Sequence, residues 1–170
     1  MAQTAVQWKD LFVAPANQWF AILDAARGPQ VGVWLQHCGL QTQSLYEGES
    51  AQEHDEWAPH LVKLDLDAAS FTELGQKGWG DSWGVFLQSD ASFSELRRHF
   101  RKFLKVRLPD GELAYFRFYD PRVLRDFLPT FSAEELPAFC GPVQRFVMEA
   151  PEKGQALCYS WNGHELQSYS

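Results

Sequence analysis

Apolar residues along the chain fall into short blocks whose spacing shifts from continuous runs to helical and then to alternating patterns. Residues 18–24 (QWFAILD) are a mostly continuous run that ends at Ala25-Ala26-Arg27-Gly28-Pro29, which predicts a buried strand followed by a turn. Val31, Trp34, Leu35 and Cys38 then recur at i, i+3, i+4 and i+7 with Gly39 as a stop, the spacing of a short helix. SLYEG at residues 44–48 reads as a brief extended piece. The stretch EGESAQEHDEWAP after it, rich in Glu, Asp and turn formers, predicts an acidic loop. HLVKLDL at residues 60–66 is the next strand, and Val85, Phe86 and Leu87 form another after a glycine and tryptophan turn.

Three S/T-x-x-E patterns mark helix starts, because the hydroxyl and the Glu side chain can reciprocally satisfy free backbone N–H groups: Ser70 to Glu73, Ser92 to Glu95 and Ser132 to Glu135. In the second of these helices Phe93, Leu96, Phe100 and Phe103 form an apolar stripe, and Arg97, Arg98, Arg101 and Lys102 occupy the remaining face. A strand pair follows, FLKVRL and LAYFRFY around Pro109-Asp110-Gly111. In its second strand the period of two puts Tyr115, Arg117 and Tyr119 on one face and Ala114, Phe116 and Phe118 on the other. Both faces are bulky, so both are expected to be covered. VQRFVME reads as a strand, and Asn162-Gly163 between two alternating runs predicts a terminal type I′ hairpin. The whole is a single α/β domain of mixed sheet and short helices with a C-terminal antiparallel hairpin, placed at residues 17–170 after an extension of residues 1–16.

The segment FRFYDPRVLRDFLP, residues 116–129, packs Arg117, Tyr119, Asp120, Arg122 and Arg125 among apolar residues. Asp120 before Pro121 is a favoured helix start, with the carboxylate as N-cap and proline at the first helical position. A partly buried Arg117 needs a carboxylate, and Asp120 and Asp24 are the candidates. Arg122 and Arg125 are left over for a partner.

Charge sharpens this picture. The net charge is −7, yet residues 1–96 hold 4 Lys/Arg against 13 Asp/Glu, residues 97–125 hold 9 against 3, and residues 126–170 hold 2 against 6. The cluster therefore lies in the one basic segment of an acidic protein, where a local positive field can steer an acidic partner. Three cysteines without CxxC spacing suggest neither a disulfide framework nor a zinc site, and together with the absence of a signal-like start or an 18-residue apolar run they lead to the expectation of a cytoplasmic protein. No nucleophile elbow, phosphate loop, dinucleotide turn or zincin helix is present. Glu53, His54, Asp55 and His60 are ligand types without zinc-like spacing and read as a solvated loop, while Cys140 and Cys158 read as small core residues. Adjacent His37 and Cys38 do not face each other on a helix. The phenylalanines of the basic helix sit at core spacing, which argues against nucleic acid.

AILDAA, SLYEG, APHLVKL, WGVFLQS, ELRRHFRKFLKVRLPDG, FRFYDPRVLRDFLPT and FCGPV together resemble a family long catalogued only as a domain of unknown function. Its studied members look like effector chaperones, or adaptors, of the bacterial type VI secretion system. The resemblance spans residues 17 to about 148. It implies a non-enzymatic cytoplasmic protein, without cofactor, that binds a cognate secreted effector and helps load it on the spike protein, with neither nucleic acid nor membrane as partner. The family motif falls on Arg117, Tyr119, Asp120, Pro121 and Arg122. Many members continue into a further C-terminal helical region where this sequence ends at Ser170; if effector choice resides in that region, it is expected here to lie elsewhere or to be looser. The expected binding surfaces are the basic helix face (Arg97, Arg98, Arg101, Lys102), Arg122 with Arg125, and the terminal hairpin with Tyr159, Trp161 and Leu166, whose outer strand can pair with a partner strand. The alternative from another class is a small enzyme whose anionic substrate is held by Arg117, Arg122 and Arg125.

Overall fold

The computed structural model describes residues 7–15 and 18–169. Six-residue β1 (Trp19–Asp24) is buried along its whole length, as its continuous apolar run requires, and both of its edges are paired. It lies within a seven-stranded sheet of β2 (Thr42–Ser44), β3 (Pro59–Lys63), β1, β4 (Gly84–Ser89), β7 (Val143–Glu149), β8 (Ala156–Trp161) and β9 (Leu166–Tyr169), in that spatial order. Every pairing is antiparallel. A separate two-stranded ribbon, β5 (Lys105–Arg107) with β6 (Leu113–Tyr115), stands apart from this sheet. The α/β class expected from the hydrophobic pattern is therefore the observed one.

Strand parity sorts the core into two layers. Phe20, Ile22, Val85, Leu87, Phe146 and Met148 face one way, against helices α4 (Phe93–Arg101), α5 (Pro121–Phe127) and α6 (Glu135–Cys140). Trp19, Ala21, Leu23, Phe86 and Val147 face the other way, against α1 (Pro29–His37) and α3 (Ala69–Gly78). Trp8, Leu11 and Phe12 join this second layer, so the described part of the presumed N-terminal extension packs into the core, Trp8 donating its indole N–H to Phe71 O at 3.1 Å. Residues 1–6 and 16 of that extension lie outside the described residues.

Several local expectations give way to tertiary context. The acidic stretch forms α2 (Glu49–His54) and a 3-10 turn (Asp55–Trp57) in place of a loop. Helix α3 starts two residues early, with Ala68 at its N-cap, so Ser70 does not cap it. The other two boxes form: Ser92 and Glu95 exchange hydrogen bonds, and Ser132 N–H and Oγ pair with Glu135 Oε2 and N–H at 2.7 and 3.1 Å. In the terminal hairpin Asn162 N–H donates to Glu165 O, and Gly163 alone has the left-handed φ, 94°, so the bend falls on Gly163-His164 and not on a type I′ Asn-Gly pair.

Candidate partner-binding surfaces

The motif segment builds a corner. β6 ends at Tyr115, and residues 117–120 turn tightly, with Asp120 N–H donating to Arg117 O at 3.0 Å. Strand alternation therefore stops, and the neighbours Phe118 and Tyr119 both enter the core. Asp24 continues the parity of Phe20 and Ile22 and so emerges beneath this corner, 1% exposed. Its carboxylate accepts from Ala26 N–H at 3.0 Å and from the Arg117 guanidinium. The ion pair joins positions 93 residues apart and ties the motif to β1. Burial beside Tyr46 and Asp24 pushes the Tyr119 phenol well above its ordinary pKa, so it stays neutral.

Asp120 is the N-cap of α5, accepting from Arg122 N–H at 2.9 Å, with Pro121 at the first position. The same carboxylate takes Arg122 in bidentate fashion, Nε to Oδ1 at 3.0 Å and Nη2 to Oδ2 at 2.7 Å. Arg122 is thus committed internally, which corrects its assignment as free for a partner. Arg125 makes no ion pair among the described residues, and together with Arg122, Lys153 and Glu149 it lines a cleft of about 360 Å³. Glu149 in that cleft is occupied by Gly80 N–H, Ser82 N–H at 2.9 Å and Ser82 Oγ at 3.1 Å, which pin the glycine and tryptophan turn. Of the three arginines of the anionic-substrate alternative, Arg117 holds Asp24 and Arg122 holds Asp120.

The basic face of α4 also divides. Arg97 donates to Ser44 O at 2.8 Å and Tyr46 O at 3.2 Å, and Arg101 to Leu45 O at 3.0 Å. Both lie against Glu47, Arg101 at 2.6 Å. These two arginines fasten the 44–47 segment and are not free for a partner. Arg98 and Lys102 are exposed and remain. His99, on the inner side of α4, is buried and hydrogen-bonded through Nε2 to Phe139 O at 2.7 Å. The terminal hairpin is likewise inward-facing at the positions chosen from sequence. Trp161 is 8% exposed within the core layer of α4–α6, and Tyr159 and Leu166 pack against that layer. The outer edge of β9 is nonetheless unpaired among the described residues.

Sequence patterning predicts the ribbon as a strand pair but not its exposure. Leu113 and Tyr115 are 60% and 59% exposed, and Val106 and Leu108 are exposed on the same hairpin. Bulky residues on both faces suggested cover on both, yet only the base, Leu104 and Phe116, packs on the core. The alternation of charge with apolar residues in Lys105-Val106-Arg107 was the available signal of a solvent-exposed strand. At the foot of the ribbon a cleft of about 190 Å³ is lined by Tyr46, Glu47, Arg101, Lys102, Lys105 and Tyr115.

Chemistry-bearing groups do not converge. Among the described residues no three His, Cys, Asp or Glu side chains come together as a metal site, and His54 meets Glu53 alone, at 3.7 Å. All three cysteines are buried and unpaired, and burial pushes the Cys140 thiol up to about 12. Among the described residues no helix is long and apolar enough to cross a membrane. The model of a family described as a domain of unknown function (DUF4123) matches residues 19–138, from β1 into α6. Neither a curated protein nor a solved structure matches the chain.

Proposed function

The chain belongs to the DUF4123 family, and from that premise we propose that it is a chaperone, or adaptor, that binds a cognate type VI secretion effector in the cytoplasm and helps load it on the spike protein. Binding, with no chemical step, is the activity. The observation that carries this reading is the ribbon, whose exposed Tyr115 lies beside Lys102 and Lys105 and whose exposed Leu113 lies opposite Arg107. Exposed apolar side chains grouped with charge are the make-up of a protein interface. The reading also rests on the resemblance of FRFYDPRVLRDFLPT and the stretches around it to the effector chaperones. In this picture the motif does not touch the effector: Arg117, Asp24, Asp120 and Arg122 hold the corner from which the ribbon projects.

The test is co-expression of the full chain with the products of the genes flanking its own, followed by size-exclusion chromatography. A chaperone gives a stable stoichiometric complex with one secreted partner, and that complex then binds the spike protein. Absence of any complex, or turnover of a small anionic substrate by the chain alone, would overturn the proposal.

A further inference from the structure

The register of the ribbon identifies which of its backbone groups are free. Phe116 N–H donates to Leu104 O at 3.0 Å and Leu108 N–H to Glu112 O at 2.8 Å. Hydrogen-bonded and non-bonded pairs alternate in an antiparallel ladder, so the Lys105–Tyr115 and Arg107–Leu113 pairs are the non-bonded ones. The N–H and C=O groups of these four residues point outwards, to edges that no other strand occupies among the described residues. The edges differ. That of β5 carries Lys105 and Arg107, charged side chains of the kind that discourage strand pairing, whereas that of β6 carries the exposed Leu113 and Tyr115.

The side chains of Lys105, Arg107, Leu113 and Tyr115 share one face of the ribbon. Lys105 Nζ lies 5.3 Å from the centre of the Tyr115 ring, so the ammonium leans across β6 towards its free edge. Lys102 extends the positive charge into the cleft at the ribbon's foot. The nearest carboxylate there, Glu47, is already neutralised by Arg97 and Arg101. Val106 and Leu108 lie on the opposite face and are apolar.

We propose that the free edge of β6 docks an extended acidic segment of a partner protein, which adds as a third strand. Its carboxylates lie on the face of Lys105 and Arg107, and its alternate apolar side chains continue the face of Val106 and Leu108. That this partner is the secreted cargo is the one element that rests on the chaperone reading.

The full chain, isotope-labelled, is titrated with a capped peptide of four Glu-Val repeats and followed by amide hydrogen exchange and by anisotropy of a dye on the peptide. Exchange at Leu113 and Tyr115 slows at least tenfold on saturation while Ala114, already bonded within the ribbon, changes little. The Lys105→Glu/Arg107→Glu double variant binds at least tenfold more weakly with its Tm retained. Alternate N-methylation of the peptide, which removes the strand's donors, abolishes binding. Equal binding of a Lys-Val peptide, equal binding of the N-methylated peptide, or protection spread evenly over the ribbon overturns the proposal. So does tight binding of oligothymidylate in place of the peptide, which assigns the charge to phosphate. Protection that grows with protein concentration alone overturns it in favour of a second copy of the chain. A co-expressed partner that stays bound to the double variant removes the β6 edge and leaves the chaperone reading; peptide docking with no co-expressed partner does the reverse.

Discussion

Asp120 serves two groups at once, the first turn of α5 and the Arg122 guanidinium. Its burial works to raise its pKa, but the hydrogen bonds and charge of Arg122 outweigh burial and hold it below the ordinary carboxylate value. A carboxylate with a depressed folded-state pKa stabilises the fold above its unfolded pKa, near 4, and loses that contribution as pH falls through the folded value. Asp120→Ala is therefore expected to lower stability by about 1–2 kcal/mol at pH 7, the cap being the larger share because Arg122 is half exposed. The gap between wild type and variant should close as urea titrations are moved from pH 5 to pH 2; a constant gap would sink the assignment. The N-cap was legible because it depends on two adjacent residues, Asp120 and Pro121. The Arg122 pair was not, because it turns on which way a long side chain folds back. Asp24 could be named as a partner for Arg117 from its place at the end of an apolar run, but choosing it over Asp120 required knowing that 93 residues of chain return it to the corner.

Helix α4 shows how one amphipathic element does two jobs. Its apolar stripe and its Ser92–Glu95 box could be read directly, since both follow from local spacing. What its cations contact depends on tertiary neighbours: Arg97 and Arg101 reach the carbonyls of residues 44–46, and Arg98 and Lys102 reach solvent. Charge reversal at the two kinds of position should separate them. Arg101→Glu loses hydrogen bonds made by a charged donor and meets Glu47, which is expected to lower Tm by several degrees, whereas Arg98→Glu leaves Tm within about a degree. Equal Tm values for the two variants by scanning calorimetry would contradict this division. At the far end of the layer Gly141, with φ 49° and ψ −120°, closes α6 directly against the His99 ring. A Cβ there would lie 2.3 Å from that ring, so both the backbone angle and the space call for glycine. Burial, helped by nearby Lys102, lowers the His99 pKa despite the Phe139 carbonyl, so the ring stays neutral and donates.

At the scale of the molecule, seven strands of one antiparallel sheet are drawn from both ends of the chain, and the last three lie beyond the residues that the family match covers. Most strands could be read from sequence because their hydrophobic runs are short and bounded by turns. Their spatial order could not, because it is set by long-range pairing that no local pattern records. The ribbon was foreseen as a strand pair but not as an exposed one: whether a bulky side chain is covered depends on what the rest of the chain places over it. The two core layers also differ in chromophore. Trp8, Trp19, Trp34, Trp79 and Trp83 all belong to the layer away from the ribbon, Trp161 is in the layer of α4–α6 and Trp57 is exposed, while the layer of α4–α6 is filled with phenylalanine. Intrinsic emission excited at the red edge therefore watches chiefly one half of the molecule. Melting should shift it strongly, and saturating the ribbon with the Glu-Val peptide should leave its maximum unmoved while the dye signal climbs. A wavelength shift that tracks occupancy would mean that docking reaches through the sheet. The protein thus carries a built-in optical separation of binding from unfolding, without any added label on its own chain.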